Sequence, residues 1–443
     1  MDVGHGAAIT SGGESRTARA LIGATLLATV TLISGTAAAQ SGRNIDNWLG
    51  FDERGGNWEQ PFDKSFVQQW QSEPQRGFPT ISADNIEPIK TAIKRYADIV
   101  AAGGWGQLPK TELRVGQDDP AIKLLRRRLE VEGDLRQSGG EQDIFDSYVE
   151  EAVKNVQTRN GIAPTGFVDK NTIDALNVPA SARLRQLREN LVRVTALSQA
   201  TASQPKYVVV NIPAAQVEAI ENNRVASRHS AVVGKFERQT PILHSFIHEV
   251  NFNKEWIVPP TVLKQDLVPK GRDYASKGKK SVLEEYGIDA YANYNEFKRG
   301  NKLDAAKIDW ESPAAMRYFY VQNPGEQNPL GFVKINFHNQ HSTYMHDTPS
   351  KSIFARNFRA ESSGCVRVQN IPQIVSWLLQ DSGWSQEKVQ QMKDTGERLN
   401  VQLKKRVPLY FSYVTAWATP DNQVNFRPDL YRRDGIDQTA SAY

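Results

Sequence analysis

Apolar residues recur at helical spacing along the first half of the chain. A stretch from residue 86 to 100 has this pattern, and the Gly-Gly-Trp at 103–105 ends it. Three further stretches follow at 118–135, 148–162 and 165–176. Their short lengths and close spacing predict a small module of three helices that share one core.

Local signals place the ends of these helices. Ile122, Leu125 and Leu129 lie on one face of a helix, and Gly133 is expected to stop it. Asp169 is the N-cap candidate of the third helix, because its carboxylate can accept from a free N–H of the first turn. The basic run 126–128 is expected to lie on a solvated helix face.

The pattern changes after an amphipathic connector helix at 183–198. Residues 206–235, 331–337 and 344–347 contain short β-branched runs between turn residues, as in a mostly-β domain. The segment from about 254 to 313 lacks a clear strand period, and a long excursion inside a compact domain is typical of a functional lid or a disordered insert. The fold class predicted is therefore α+β and multidomain, with a helical scaffold, a three-helix module and a mostly-β domain that carries a lid insertion.

The first 39 residues have the layout of a secretory signal. Arg16 and Arg19 precede an apolar run at 20–33, and small residues follow it. The run is short for a membrane span, which needs about 20 residues. The alternative is an uncleaved leader that tethers the chain to the inner membrane. Both interpretations place the rest of the chain outside the cytoplasm, in the periplasm or cell envelope.

Composition narrows the class of protein. The chain has 443 residues, of which 39% are hydrophobic, and its net charge is +4. This length predicts several domains, and the absence of a dense basic patch argues against nucleic acid as a partner.

Cys365 is the only cysteine, so it cannot form a disulfide within the chain. A lone cysteine is more often a small buried apolar residue than a nucleophile. A nucleophilic thiol needs a base and oxyanion donors. His346 lies nineteen residues upstream in a predicted strand, and Gly364 allows close backbone approach. The N–H groups of Gly364 and Cys365 are the candidate oxyanion donors.

The segment 341–370, HSTYMHDTPSKSIFARNFRAESSGCVRVQN, resembles the signature of L,D-transpeptidases with a YkuD-type catalytic domain. Segments 256–270 and 321–337 are similar to the larger, capped branch of that family. The helical stretch 113–178 resembles the peptidoglycan-binding type 1 domain. The resemblance implies an envelope enzyme that forms 3–3 crosslinks between peptidoglycan stems, requires no cofactor and no metal, and is a carbapenem target.

The resemblance also implies residue roles. Cys365 would attack the carbonyl of the third stem residue and release the terminal D-alanine. His346 would hold Cys365 as an ion pair and exchange protons, and the carbonyl of Asp347 would orient its ring. Tyr344 would assist the oxyanion, and Arg367 would clamp a stem carboxylate, unless it forms a structural ion pair.

One position departs from many family members, which have a second histidine where this chain has Ser363. Ser363 is expected to supply hydrogen-bond support instead. Trp256 and Tyr274 are candidates to line the lid over the substrate, with ordinary packing as the alternative.

The predicted domains follow the signal at 1–39 in order along the chain. They are a scaffold segment at 40–112, the helical module at 113–178, a connector at 179–205, the catalytic domain at 206–414 and a C-terminal tail at 415–443, which is polar after Tyr431.

Other functions remain open at this level. His338, His341 and His346 cluster within nine residues, but predicted strands would scatter them, so a zinc site is disfavoured. On the same fold, water as acceptor gives an L,D-carboxypeptidase, and attack on an existing linkage gives an amidase that releases lipoprotein from the wall. A non-catalytic wall-binding protein is the last alternative. The predicted partners are donor and acceptor stem peptides and other cell-wall enzymes.

Overall fold

The computed structural model describes residues 68–69, 76–136 and 142–435. The predicted signal and part of the scaffold segment lie outside these residues, as does the end of the C-terminal tail. All described residues fall in one compact unit, Arg43–Tyr443. Across the described ranges, no helix combines the length and apolar character needed to cross a membrane.

Among the described residues, five α-helices precede the first strand, and the caps of three of them are aspartates. Asp119, Asp146 and Asp169 each accept a main-chain N–H at a helix N-terminus, and Gly133 ends the second helix in the left-handed conformation. The helices are α1 (Ile86–Ala101), α2 (Pro120–Glu132), α3 (Ser147–Arg159), α4 (Lys170–Leu176) and α5 (Ala180–Thr201).

The basic run of α2 is not a solvated face, contrary to the expectation. Arg126 and Arg128 are only 5% and 4% exposed, whereas Arg127 is exposed. Arg126 pairs with Asp146, and Arg128 pairs with Glu132 at 2.7 Å. The buried arginines are tolerated because each pairs with a carboxylate of the module.

Among the described residues, the predicted catalytic domain contains a nine-stranded sheet in the order β10-β3-β11-β9-β8-β4-β12-β1-β2. Strand β2 also pairs with β3, so the sheet closes on itself. Its strands are β1 (Lys206–Asn211), β2 (Gln216–Glu221), β3 (Arg224–Gly234), β4 (Leu243–Phe252), β8 (Val333–Phe337), β9 (Met345–His346), β10 (Ala360–Ser362), β11 (Val366–Val368) and β12 (Leu399–Ser412).

The predicted lid is a folded insert with its own core. Three strands pair in the order β5-β7-β6, and they enclose buried residues that include Trp256, Tyr274 and Trp310. The insert continues past the predicted end at 313, because β7 pairs with both of the earlier strands. Its elements are β5 (Trp256–Ile257), α6 (Pro260–Val262), a π-helical turn (Leu263–Leu267), α7 (Val268–Ser276), α8 (Val282–Glu285), β6 (Ile288–Tyr291), α9 (Tyr294–Arg299) and β7 (Phe319–Gln322).

The described chain after the sheet is structured, although the sequence predicted a C-terminal tail from residue 415. Strands β13 (Ala416–Ala418) and β14 (Val424–Phe426) form a hairpin, and Trp417 and Phe426 are buried with residues of α1 and α5. Tyr431 then donates from its hydroxyl to the carbonyl of Gly234 at 2.6 Å. Helices α10 (Ile371–Leu378) and α11 (Gln386–Thr395) complete the large core of the sheet.

Candidate active site

Strand pairing brings the predicted site residues onto one face of the large sheet. Strands β9 and β11 are parallel, and Arg367 lies opposite His346. Side chains alternate along a strand, so Cys365 shares the face of Arg367, and Tyr344 shares the face of His346. The intervening Met345 is fully buried in the opposite core. We call the surface shared by Tyr344, His346, Cys365 and Arg367 the cysteine face.

The loop that carries Cys365 is held by short-range hydrogen bonds. Ser362 donates from Oγ to the carbonyl of Cys365 at 2.6 Å and accepts the N–H of Gly364 at 3.1 Å. Thr240 donates from Oγ1 to the carbonyl of Gly364 at 3.0 Å. Gly364 has φ +110, a conformation that side chains rarely adopt, so glycine is needed at this turn.

The two expected oxyanion donors, the N–H groups of Gly364 and Cys365, differ in whether a described residue accepts a hydrogen bond from them. The Gly364 N–H is occupied by Ser362 Oγ. No hydrogen bond from the Cys365 N–H to the described residues is present. The backbone of Cys365 is therefore the more accessible donor, and Gly364 would have to exchange its partner.

Cys365 is half-buried, and its thiol lies among buried side chains of the cysteine face. Burial raises its pKa, and hydrogen bonds with the main chain and side chain of Tyr344, together with the charges of Lys334 and Arg367, act in the opposite direction. The net direction is upward, so the thiol rather than the thiolate is the resting form at neutral pH.

His346 is 5% exposed, and its ring bonds to main-chain carbonyls rather than to Cys365. Its Nδ1 is hydrogen-bonded to the carbonyl of Asp347, and the carbonyl of Pro329 also acts on the ring. Burial, followed by the charge of Arg367, lowers the pKa of His346 to about 3. A neutral imidazole beside a neutral thiol is thus favoured over the ion pair that the family resemblance implied, because burial penalises both charges.

Asp347 reaches the site through its backbone, and its side chain is engaged elsewhere. The carboxylate pairs with Lys351 and accepts the Phe332 N–H at 3.3 Å. The Asp347 N–H donates to the carbonyl of Val333 at 2.9 Å, which ties it to the start of β8. These contacts set the position of the carbonyl that faces the His346 ring.

Lys334 belongs to the same face, and the sequence analysis did not select it. It lies opposite His346 in the pairing of β8 with β9, and its Nζ is 4.5 Å from the centre of the Tyr344 ring. Burial lowers the pKa of Lys334, and a charge on Cys365 would raise it. The available signal was a lysine at an alternate position among the apolar residues of β8.

Arg367 lies within the cysteine face rather than at an open surface. It is 3% exposed, and its charge acts on Cys365, Tyr344, His346 and Glu361. Its role as a clamp for a stem carboxylate stays a prediction.

The folded insert contacts this face through Tyr344. Tyr344 packs against the core of the insert and is hydrogen-bonded to Trp256, which is 4% exposed. Tyr274 is buried within the insert's own core. Trp256 therefore adjoins the site, while Tyr274 has the packing role that was the alternative.

Ser363 connects the cysteine loop to the insert through an arginine. Arg238 donates from Nη1 to Ser363 Oγ at 2.9 Å, and it forms two hydrogen bonds with Asp266 at 2.6 and 3.0 Å. Asp266 belongs to the π-helical turn of the insert. Sequence analysis missed Arg238 and Asp266, because they lie 28 residues apart and far from the motif.

The three clustered histidines occupy different environments. His338 stacks on His248 with ring centres 4.3 Å apart, His341 is exposed in a turn, and His346 lies on the cysteine face. Among the residues that the structure describes, no group of three or more His, Cys, Asp or Glu side chains is arranged to hold a metal ion.

Two family models match the chain. Residues 205–398 match the YkuD family, described as "L,D-transpeptidase catalytic domain", and residues 118–176 match "Putative peptidoglycan binding domain". A curated relative from Haemophilus influenzae, named "Putative L,D-transpeptidase", is 31% identical over 227 residues. The match covers 51% of this chain, which spans 44% of the length of that relative.

Solved structures with similarity to the chain include two L,D-transpeptidases. One is LdtMt1 in complex with imipenem, at 12% identity and a TM-score of 0.23, with 47% of this chain and 58% of that chain covered. The other is from Stackebrandtia nassauensis, at 13% identity and a TM-score of 0.26, with 68% and 96% covered. The two family matches identify a YkuD-type L,D-transpeptidase catalytic domain at residues 205–398 and a peptidoglycan-binding type 1 domain at residues 118–176.

Proposed function

We propose that the protein is a peptidoglycan L,D-transpeptidase that uses Cys365 as its nucleophile. The observation that carries the proposal is the parallel pairing of β9 and β11, in which Arg367 lies opposite His346, and the alternation of side chains supports a shared face for Cys365. The match to the L,D-transpeptidase catalytic domain supports the same reaction class.

In the acylation step, the sulfur of Cys365 attacks the carbonyl carbon of the third residue of a tetrapeptide stem. The thiol proton passes to the neutral ring of His346, which must exchange a main-chain carbonyl partner to accept it, and the carbonyl oxygen becomes an oxyanion. The Cys365 N–H and Tyr344 would donate to that oxygen, and Gly364 would be a further donor once its N–H leaves Ser362 Oγ. The bond to D-alanine then breaks, its amine takes the proton from His346, and a thioester remains.

In the second step, the side-chain amine of an acceptor stem attacks the thioester. His346 removes a proton from the amine, the C–S bond breaks, and the proton returns to the sulfur. The product is a 3–3 crosslink. Lys334 and Arg367 would stabilise the negative charge that develops on the sulfur and the oxyanion, since both cations act on Cys365.

The insert favours an amine over water as the acceptor. Trp256 and Tyr344 form a contact between the insert and the cysteine face, and excluding water protects a reactive thioester from hydrolysis. An L,D-carboxypeptidase or a lipoprotein-releasing amidase on the same fold would differ only in the acceptor. A cell-envelope location, an exported chain and stem peptides as partners belong to this proposal.

The test is incubation of the full chain with purified disaccharide tetrapeptide, followed by mass analysis. A 3–3 dimer with release of D-alanine is the expected result, and tripeptide alone would indicate a carboxypeptidase. If neither the 3–3 dimer nor the tripeptide forms, the catalytic proposal is contradicted. A covalent imipenem adduct on the wild-type chain should disappear in Cys365→Ser, and its persistence there would rule out the thiol as the acylated group.

A further inference from the structure

A cavity of about 180 Å³ lies where the helical module, the large sheet and the C-terminal hairpin meet. Thr158 and Gly161 come from the end of α3, Gln216 from β2, and Trp417 from β13. Its described lining shares no residue with the cysteine face. The cavity is therefore separate from the proposed active site.

Three guanidinium groups line this cavity, and two of them are deeply buried. Arg359 and Arg427 are 6% and 7% exposed, and Arg228 is the third. Arg359 donates only to main-chain carbonyls, and Arg427 donates from Nη1 to the carbonyls of Arg159 and Phe426. Within residues 76–136 and 142–435, neither forms an ion pair with a carboxylate.

The nearby carboxylates do not balance these charges. Glu218 lies opposite Arg228 and accepts from it at 2.7 and 3.0 Å, and it also accepts the N–H and hydroxyl of Thr80. Asp421 is exposed at the hairpin turn, where it accepts the Gln423 N–H. The C-terminal carbonyl of α3 offsets part of the charge of the arginine it contacts.

Burial lowers the pKa of both deep arginines, and repulsion between the cations adds to the shift of Arg427. Burial lowers the pKa of Arg359 to about 10. Burial, with repulsion from Arg359 and Arg228, lowers the pKa of Arg427 to about 9, although Glu218 opposes this shift. Burying a guanidinium without a counter-charge is unfavourable, and a bound anion would remove that cost.

We propose that this cavity binds a small oxyanion, a phosphate or carboxylate group carried by a polar ligand. Guanidinium groups present paired N–H donors that match both groups. Gln216, Ser230 and Asn425 add polar side chains to the walls. A ligand here touches the peptidoglycan-binding module and the catalytic sheet together, so its occupancy holds the two against each other.

Calorimetric titration of the full chain tests the proposal, with inorganic phosphate and succinate as probes at constant ionic strength. Saturable binding of either probe is expected, and the preferred probe identifies the ligand as a phosphate or a carboxylate. Arg427→Gln should weaken binding about tenfold or more, because it removes a charged hydrogen-bond donor.

Two surface variants keep the test independent of folding. Gln423→Glu adds a carboxylate at the cavity mouth and should weaken binding several-fold, whereas Asp421→Asn removes one and should tighten it. Asp394→Asn on α11 is the control, because it removes one negative charge as Asp421→Asn does but lies outside the cavity lining. It should leave binding unchanged. The proposal is overturned if neither probe binds, or if all three surface variants shift binding in proportion to net charge alone.

Discussion

Replacement of Asp266 by Asn should slow acylation of Cys365, although Asp266 lies in the π-helical turn of the insert and Cys365 lies in the loop before β11. Asp266 binds Arg238 through two hydrogen bonds, and Arg238 in turn donates to Ser363 beside the nucleophile. The Asn variant keeps the size of the side chain but loses its charge. Its amide group also faces Arg238 with a donor, so one of the two bonds is lost.

The size of the effect follows from this geometry. The side chains of Arg238 and Asp266 are 9% and 15% exposed, so solvent screens the pair weakly. A hydrogen bond to a charged group contributes about 1.5–3 kcal/mol, and its replacement by one neutral bond costs roughly 2 kcal/mol. If the whole of this cost is felt in the transition state, acylation slows by about thirtyfold.

The assay is the second-order rate of imipenem acylation, followed by intact mass, with thermal unfolding measured in parallel. Asp273→Asn is the matched control, because Asp273 pairs with Lys277 in the same insert, but both side chains are about half exposed. The control should acylate at the wild-type rate. An Asp266→Asn variant that acylates within twofold of the control would refute the link between the insert and the cysteine loop.

Other changes give separate tests. Lys334→Met should slow imipenem acylation at pH 7 and move the alkaline limb of iodoacetamide alkylation of Cys365 to higher pH. Lys334→Arg, which keeps the charge, should retain most of the rate. Equal pH profiles for the wild type and both variants would exclude an electrostatic role of Lys334. Burial lowers the pKa of His229 to about 4. Between that value and about 6.5 the unfolded chain binds a proton that the folded chain does not, so unfolding free energy falls by about 1.4 kcal/mol per pH unit as pH drops through this window. His229→Gln should flatten the pH dependence of chemical denaturation by that slope, and an unchanged slope would contradict a buried neutral imidazole. Glu132 pairs with Arg128 and Arg159 inside the helical module. Glu132→Gln should therefore lower the unfolding free energy, measured by calorimetry, by about 3–5 kcal/mol. A change under about 1 kcal/mol would show that these ion pairs are solvated.

Helix positions were predictable from sequence because their determinants are local. The caps at Asp169 and Gly133 depend on residues within one turn, and both occur as expected. The mostly-β domain was likewise visible in short β-branched runs. The solvated face assigned to Arg126 and Arg128 was wrong, because helical spacing alone does not say which polar residues find buried partners.

The candidate site was only partly accessible from sequence. Cys365 and His346 were identifiable because each lies in a recognisable motif, and strand pairing then places them on one face. Lys334, Arg238 and Asp266 carry no such motif.

The sequence by itself determined the local elements, the nucleophile candidate and the order of the domains, since these depend on neighbours along the chain. Only the tertiary structure decided the ionisation of Cys365 and His346, because burial is a property of the packed sheet and insert. It also decided the fate of residues 416–426, which form a buried hairpin because α1 and α5 supply the apolar surface against which they pack. The arginine-lined cavity has the same origin, since its walls come from segments more than 250 residues apart, such as Gly161 and Arg427.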